Sequence, residues 1–138
     1  MTVIAAECVV RHTKKLFNVQ EQKSKVIFHN PNQHEVQEIT VDGCVVTEGE
    51  RCDYLLLVDD ADVSVFVELK GSDVKHALEQ LEETHKQLRD HCKTNNFWII
   101  SSTRCPLTST EVQVRTLHIL NKFEARLKIK NSPVEHTF

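Results

Sequence analysis

The sequence predicts an α/β domain in which a mixed β-sheet is flanked by helices. Two short β-rich runs, residues 54–58 and 63–67, are separated by an acidic turn. An amphipathic segment follows at 73–92, and another apolar β-rich run follows at 96–102. A hairpin, a helix and then a strand are typical of a sheet with both antiparallel and parallel pairs, because parallel neighbours need a crossover connection.

The composition fits one globular domain. The chain has 138 residues, of which 40% are hydrophobic and 27% are charged, and these values suit a single core. We expect this domain over residues 1–130 and a C-terminal tail over 131–138. There is no run long and apolar enough for a membrane helix and no signal-peptide pattern, so we expect a cytoplasmic protein with no membrane partner. The five cysteines lack metal-site spacing, and we expect them to pack as small hydrophobes.

The N-terminal part is predicted to contribute a helix and two strands. Apolar residues concentrate over 3–17, which we interpret as a helix with Glu7 in its middle. Residues 25–29 and 35–41 are β-rich and are separated by an Asn-Pro-Asn turn. Residues 44–46 either continue the second strand or begin another.

Two helices and two strands are predicted beyond the hairpin. Ser72 is a good N-cap for the helix over 73–92. Its apolar positions follow helical spacing and are Val74, Ala77, Leu78, Leu81, His85, Leu88 and Cys92. Ser109 or Thr110 caps a helix over 110–124, whose apolar side is Val112, Leu117, Leu120 and Phe123. Residues 127–130 alternate between apolar and basic side chains, as in an edge strand. The core that we expect has the order α-β-β-β-α-β-α-β, with helices on both faces.

Three charged residues lie at the ends of the predicted hairpin strands. Asp53 precedes the first strand, and Glu68 and Lys70 close the second. In an antiparallel hairpin the start of one strand lies beside the end of the next, and residues two apart share a face. The sequence therefore predicts two carboxylates and an ammonium at one end of the sheet. The alternative is a solvated strand edge with a cross-strand ion pair.

Such a trio can hold a metal ion. Two carboxylates, a backbone carbonyl such as that of Leu69, and waters suit Mg²⁺. A lysine beside the ion can orient or deprotonate an attacking water.

Asp53 followed by Glu68-Leu69-Lys70 on the next strand resembles the PD-(D/E)XK motif. This motif defines a nuclease superfamily that includes restriction endonucleases and archaeal Holliday junction resolvases. Cys52 stands at the proline position of the motif. The resemblance implies a restriction-endonuclease-like core and a Mg²⁺- or Mn²⁺-dependent endonuclease. In it Asp53 and Glu68 bind the metal together with the Leu69 carbonyl, and Lys70 serves the water.

The resemblance also implies two further site residues. Members of this superfamily often carry a glutamine on the helix after the motif, and Gln80 occupies such a position. The related Gln-x-x-x-Tyr pattern is half matched, because residue 84 is threonine. The first helix often supplies a glutamate near the metal, which here would be Glu7.

The distribution of charge suits a phosphodiester substrate. The formal net charge is −3, but basic residues concentrate over 11–25 and 115–130, while acids concentrate over 48–90. An acidic centre with basic ends fits nucleic acid held by its backbone, and we expect DNA rather than RNA. The candidate phosphate contacts are Arg51, Arg104, Lys128 and Lys130. The alternative for these charge runs is a solvated surface.

We expect the nuclease to be a homodimer, because cutting both strands of a duplex requires two active sites and two-fold pairing supplies them. Residues 110–130 are the candidate contact, through Leu117, Leu120 and Phe123, unless that stripe only covers the domain's own sheet. A separate protein partner could supply specificity. The alternative function is a catalytically inactive nuclease-fold module that binds nucleic acid or a protein partner in a defence or toxin–antitoxin type complex.

Overall fold

A computed structural model describes residues 3–49 and 51–138 and shows a mixed α/β fold. The strands are β1 Val9–His12, β2 Leu16–Glu21, β3 Ser24–His29, β4 Val36–Thr40, β5 Tyr54–Val58, β6 Val63–Lys70, β7 Asn95–Ser102, β8 Ala125–Asn131 and β9 Val134–Thr137. The helices are α1 Val74–Leu88 and α2 Ser109–Phe123, with 3-10 turns at Ala6–Cys8 and Arg89–His91. Six strands form one sheet in the order β1-β4-β5-β6-β7-β8, and β2-β3-β9 form a second sheet.

The unit β5-β6-α1-β7 confirms the central part of the sequence prediction. β5 and β6 form the antiparallel hairpin, with Tyr54 opposite Val67. After the α1 crossover, β7 pairs with β6 in parallel, so that Lys70 lies opposite Ser102. The carboxyl ends of β6 and β7 therefore meet at one edge of the sheet.

The two faces of the six-stranded sheet are covered differently. Phe66 packs with Leu81 of α1 and Ile119 of α2 in one apolar cluster. Val65 lies in a second cluster with Phe28 of the three-stranded sheet. The prediction of helices on both faces is therefore wrong, because both helices share one face and the small sheet covers the other. A continuous apolar run in a strand indicates that both faces are buried, but it does not show what covers them.

The N-terminal helix predicted over 3–17 is also wrong. This segment forms the 3-10 turn Ala6–Cys8, strand β1 and the start of β2. Its apolar residues do not gather on one buried stripe, since Val3 and Val10 are 83% and 60% exposed. The β-branched and aromatic residues instead pair as strands, as their β propensity favours.

Residues 44–46 form a turn and not a strand. The Gly43 N–H donates to the Val46 carbonyl, and Gly43 has φ 76°, a conformation that glycine adopts without steric cost. Cys44 of this turn forms a disulfide with Cys8. The expectation that the cysteines pack as free thiols is therefore wrong for this pair, although Cys52 is a buried free thiol.

The predicted tail is part of the fold. Strand β9 pairs in parallel with β3, with Val134 opposite Val26, and Val134 is buried. The edge strand predicted over 127–130 is confirmed as β8.

Both helix starts differ slightly from the prediction. Asp73, and not Ser72, accepts the capping hydrogen bond of α1 from the His76 N–H. Thr108, and not Ser109 or Thr110, accepts that of α2 from the Glu111 N–H.

The apolar side predicted for the second helix is wrong in part. Ile119 is the buried residue of α2, and Phe123 is half-buried. Leu117 and Leu120 remain 60% and 44% exposed, because they lie on the outer side of the helix. Within the described residues, neither helix is long and apolar enough to cross a membrane.

Candidate active site

A cavity of about 590 Å³ opens where the carboxyl end of β6 meets the β2–β3 turn. Its lining contains four carboxylates and two lysines among other residues. They are Glu21, Gln22, Lys23, Ser24, Asp42, Asp53, Glu68, Leu69, Lys70, Gly71, Gln80 and Thr103. The structure thus brings Asp53, Glu68, Lys70 and Gln80, which the sequence singled out, to one cavity.

The hairpin register places Asp53 beside the end of β6. The Asp53 N–H donates to the Val67 carbonyl at 3.1 Å. The Leu69 N–H donates to Asp53 Oδ2 at 2.8 Å. In an antiparallel pair, the N–H and C=O of one residue point toward the same neighbouring strand. The Leu69 carbonyl is therefore directed toward the Asp53 side, as a metal ligand would need to be.

Glu68 is a buried acid that lacks a full set of partners. Its side chain lies on the sheet face covered by α1, the residue is 1% exposed, and Oε2 has no hydrogen-bond partner. Burial raises the pKa of Glu68 to about 10, helped by the hydrogen bond and the negative charge of Asp53, while Lys70 acts in the opposite direction. Without a cation, Glu68 is therefore protonated at neutral pH. A bound metal ion would replace that proton.

Gln80 supplies a second unpaired oxygen. Its Nε2 donates to the Arg51 carbonyl at 3.0 Å, whereas its Oε1 is buried without a partner. Thr84, one turn further along α1, is buried and accepts from the Cys52 N–H at 2.7 Å. Thr84 thus holds the backbone of Cys52, the residue that precedes Asp53.

The donor set fits a hard cation. The carboxylates of Asp53 and Glu68, the Leu69 carbonyl and Gln80 Oε1 are all oxygens, which Mg²⁺ prefers. Among residues 3–49 and 51–138, no cluster of three or more His, Cys, Asp and Glu side chains has a metal-binding arrangement. Mg²⁺ is commonly bound by one or two carboxylates, with waters and substrate phosphates completing its shell.

Two acids of the cavity were missed at the sequence level. Glu21 ends β2 and Asp42 lies in the turn after β4. Partial burial and the charges of Asp53 and Asp42 raise the pKa of Glu21. Both residues adjoin turn sequences, Gln22-Lys23 and Asp42-Gly43, and local patterns do not show which sheet edge a turn approaches. The glutamate predicted for this role, Glu7, is exposed in its 3-10 turn and does not line the cavity.

The predicted phosphate contacts are scattered around this cavity. Arg51 donates to Asp42, which lines it, and to the Gly49 carbonyl. Arg104 is exposed, and its N–H donates to the Gly71 carbonyl at the cavity wall. Lys128 and Lys130 do not line the cavity. Lys128 Nζ donates to the Glu135 carbonyl of β9, so both lysines lie on the face of β8 that carries the small sheet.

Comparison with known proteins does not assign the chain to a family. No family model matches it, and neither the curated proteins nor the solved structures contain a significant match. The case for a function therefore comes from the cavity and its residues.

Proposed function

We propose that this chain is a metal-dependent nuclease of the PD-(D/E)XK type that hydrolyses phosphodiester bonds in nucleic acid, DNA rather than RNA. One observation carries the proposal. Glu68 is buried, has an unpaired carboxylate oxygen and adjoins Asp53 in a cavity that also contains Lys70. Burial of an acid without a full set of partners is costly, and strongly perturbed acids in clefts mark candidate functional sites.

The order of elements around the cavity supports a restriction-endonuclease-like core. A hairpin, a crossover helix and a parallel strand bring Asp53, Glu68 and Lys70 to the carboxyl edge of the sheet. Ligand sites are common at this edge in α/β sheets. The small sheet on the other face was not predicted and is not part of this hairpin–helix–strand unit.

Each residue has a distinct role in the proposed reaction. Asp53, Glu68 and the Leu69 carbonyl would hold Mg²⁺ or Mn²⁺. When bound, the ion lowers the pKa of water and stabilises charge on a phosphate oxygen. Lys70 shares the face of Glu68, where its ammonium orients the attacking water or stabilises the phosphate. The Gln80 amide fixes the backbone of Arg51, two residues before Asp53.

Labelled DNA and RNA incubated with Mg²⁺ or Mn²⁺ test this function. We expect divalent-dependent cleavage by the wild type and a loss of about 100-fold or more for Asp53→Asn or Lys70→Ala. Lys75→Ala, an exposed lysine in the first turn of α1, is the matched control and should cut normally. Cleavage by Asp53→Asn at the wild-type rate would contradict the metal assignment.

One observation favours the alternative of an inactive module that binds nucleic acid or a protein partner. The Leu69 N–H holds Asp53 Oδ2, and burial together with the charge of Asp53 raises the pKa of Glu68, so that a protonated Glu68 avoids charge repulsion and the site is stable without a metal. Calorimetric titration with Mn²⁺ distinguishes the two functions. An inactive module should bind Mn²⁺ no better than its Asp53→Ala variant, whereas the nuclease should bind it much better.

A cytoplasmic location is part of the proposal and needs its own test. The Cys8–Cys44 disulfide is of a kind that persists mainly in oxidising compartments. Thiol labelling of the protein in freshly lysed cells should modify both cysteines if the location is reducing. Protection of both residues would place the protein elsewhere.

A further inference from the structure

A second cavity, of about 440 Å³, lies between the C-terminal ends of the two helices. α1 ends at Leu88 and α2 at Phe123, and the walls come from both. Gln80 belongs to the first cavity and Arg89 to the second. At about 1.5 Å per residue, the two are separated by about 13 Å along the helix axis.

The second cavity concentrates positive charge. Lys86, Arg89 and Lys122 line it, with Glu124 as the acid among its lining residues. Within residues 3–49 and 51–138, none of these three cations forms a salt bridge. Burial and the charge of Arg89 lower the pKa of His85, which also lines the cavity. The histidine is therefore harder to protonate than a free one, and the positive charge comes from the three longer side chains.

An unused hydrogen-bond donor lies behind the wall of this cavity. Trp98 is fully buried, and its Nε1 has no partner. Its ring contacts two lining side chains, His85 at 5.4 Å and Phe123 at 5.0 Å between centroids. Buried tryptophan N–H groups usually find an acceptor. Trp98 is not itself a lining residue, so its ring reports on the cavity through these two contacts and its N–H is not counted as part of the site.

We infer that the cavity formed by Lys86, Arg89 and Lys122 is a second binding site, which takes a phosphate group. An arginine fork binds two phosphate oxygens at once, and the lysines add point charges. The phosphate can come from a small phosphorylated molecule or from a polynucleotide backbone. The inference does not depend on the proposed nuclease function, because it concerns other residues and involves no metal.

A competing explanation is that these cations only stabilise the helices. Positive side chains near helix C-termini compensate the negative end of the helix dipole. In that case their removal would lower the melting temperature, but no anion would bind. The two explanations therefore differ in a direct binding measurement.

Trp98 is the one tryptophan of the chain, so its fluorescence reports on this cavity. We would titrate the full chain with pyrophosphate at low salt and with a chelator present, following fluorescence and calorimetric heat. We expect saturable binding that weakens about tenfold for each cation removed in Lys86→Gln, Arg89→Gln and Lys122→Gln. The control is Lys14→Gln/Lys15→Gln, which removes exposed positive charge elsewhere and should bind normally.

A single-stranded oligonucleotide in competition identifies the source of the phosphate. Displacement of pyrophosphate by the oligonucleotide indicates a polynucleotide backbone, and failure to displace it indicates a small phosphorylated ligand. Lys122→Gln lies on a different helix from the other two variants, so a folding defect in one does not remove the test. The inference is overturned if no saturable heat appears, or if the cavity variants bind as tightly as the control.

Discussion

The central unit β5-β6-α1-β7 and the two ends of the chain differ in how their strands find partners. The central strands are joined by a turn and a crossover, so each pairs with a near neighbour in sequence. The ends meet each other instead, since β9 near the C-terminus pairs with β3 near the N-terminus. Local patterns determine the first region. The second is determined by which face of the central sheet is still uncovered.

The candidate active site draws on both regions. Asp53, Glu68 and Lys70 come from the central hairpin, whereas Glu21 and Ser24 come from β2 and β3. The Ser24 hydroxyl donates to the Lys70 carbonyl at 2.6 Å. The small sheet therefore holds the end of β6 in place, and the comparison between the regions can be tested at this junction.

The largest expected effect is on the C-terminal segment. Removal of residues 132–138 would expose the β3 edge and lose the buried Val134 and the Phe138 ring that stacks on Phe28. We expect a loss of about 3 kcal/mol or more of unfolding free energy, measured by urea denaturation. Thr137→Ala, at an exposed position on the same strand, is the control. If the truncation left the free energy of unfolding unchanged, residues 132–138 would be a tail that does not stabilise the fold.

A second effect distinguishes the central unit, because it depends on pH. The pKa of Glu68 is about 10 in the folded protein, against 4.5 as its ordinary value. Its contribution to stability is therefore present below pH 4.5 and is lost as the pH rises toward 10. The slope is at most about 1.4 kcal/mol per pH unit.

Glu68→Gln removes this titration. In metal-free buffer the variant should gain stability over the wild type progressively from pH 5 to pH 9, measured as the urea midpoint. Glu48→Gln, at an exposed position before β5, is the control and should follow the wild type. Parallel profiles for wild type and Glu68→Gln would show that Glu68 is ionised in the fold.

The exposed side of α2 is the candidate contact of the proposed homodimer. Val114, Leu117 and Leu120 of α2 are exposed, whereas Phe123 packs on Trp98. If α2 forms the contact, Leu117→Asp should give monomers in light scattering, and Phe123→Asp should destabilise the fold instead. Thr110→Asp, at an exposed position on the first turn of α2, provides a charge-matched comparison. A wild-type mass of 15.9 kDa at tens of micromolar would exclude the dimer.

The smallest expected effect concerns phosphate contacts. Arg104 adjoins the cavity wall through Gly71, while Lys128 and Lys130 lie on the other face of the sheet. If substrate enters the candidate active site, Arg104→Ala should reduce the salt dependence of duplex DNA affinity by about 0.9 in log–log slope, the value for one phosphate. Lys128→Ala/Lys130→Ala should change it less. A larger change in slope for Lys128→Ala/Lys130→Ala than for Arg104→Ala would indicate that DNA lies across the small sheet.

The sequence by itself determined the hairpin, the crossover helix and the meeting of Asp53 with Glu68. These features depend on residues close in the chain, because antiparallel pairing brings the two strand ends together whatever surrounds them. Gln80 was expected from the resemblance alone, and it lines the same cavity. The predicted charges at this edge are therefore the part of the site that did not need the tertiary structure.

Only the tertiary structure decided what covers the sheet and closes the cavity. Apolar residues at 3–17 and 131–138 fit helix, strand or tail until a partner strand is specified, because β propensity depends on context. Glu21 reached the site, and Glu7 did not, because the β2–β3 turn packs over the end of β6. Pairing between distant segments is set by the surface that remains to be buried, and no local pattern in the sequence contains that information.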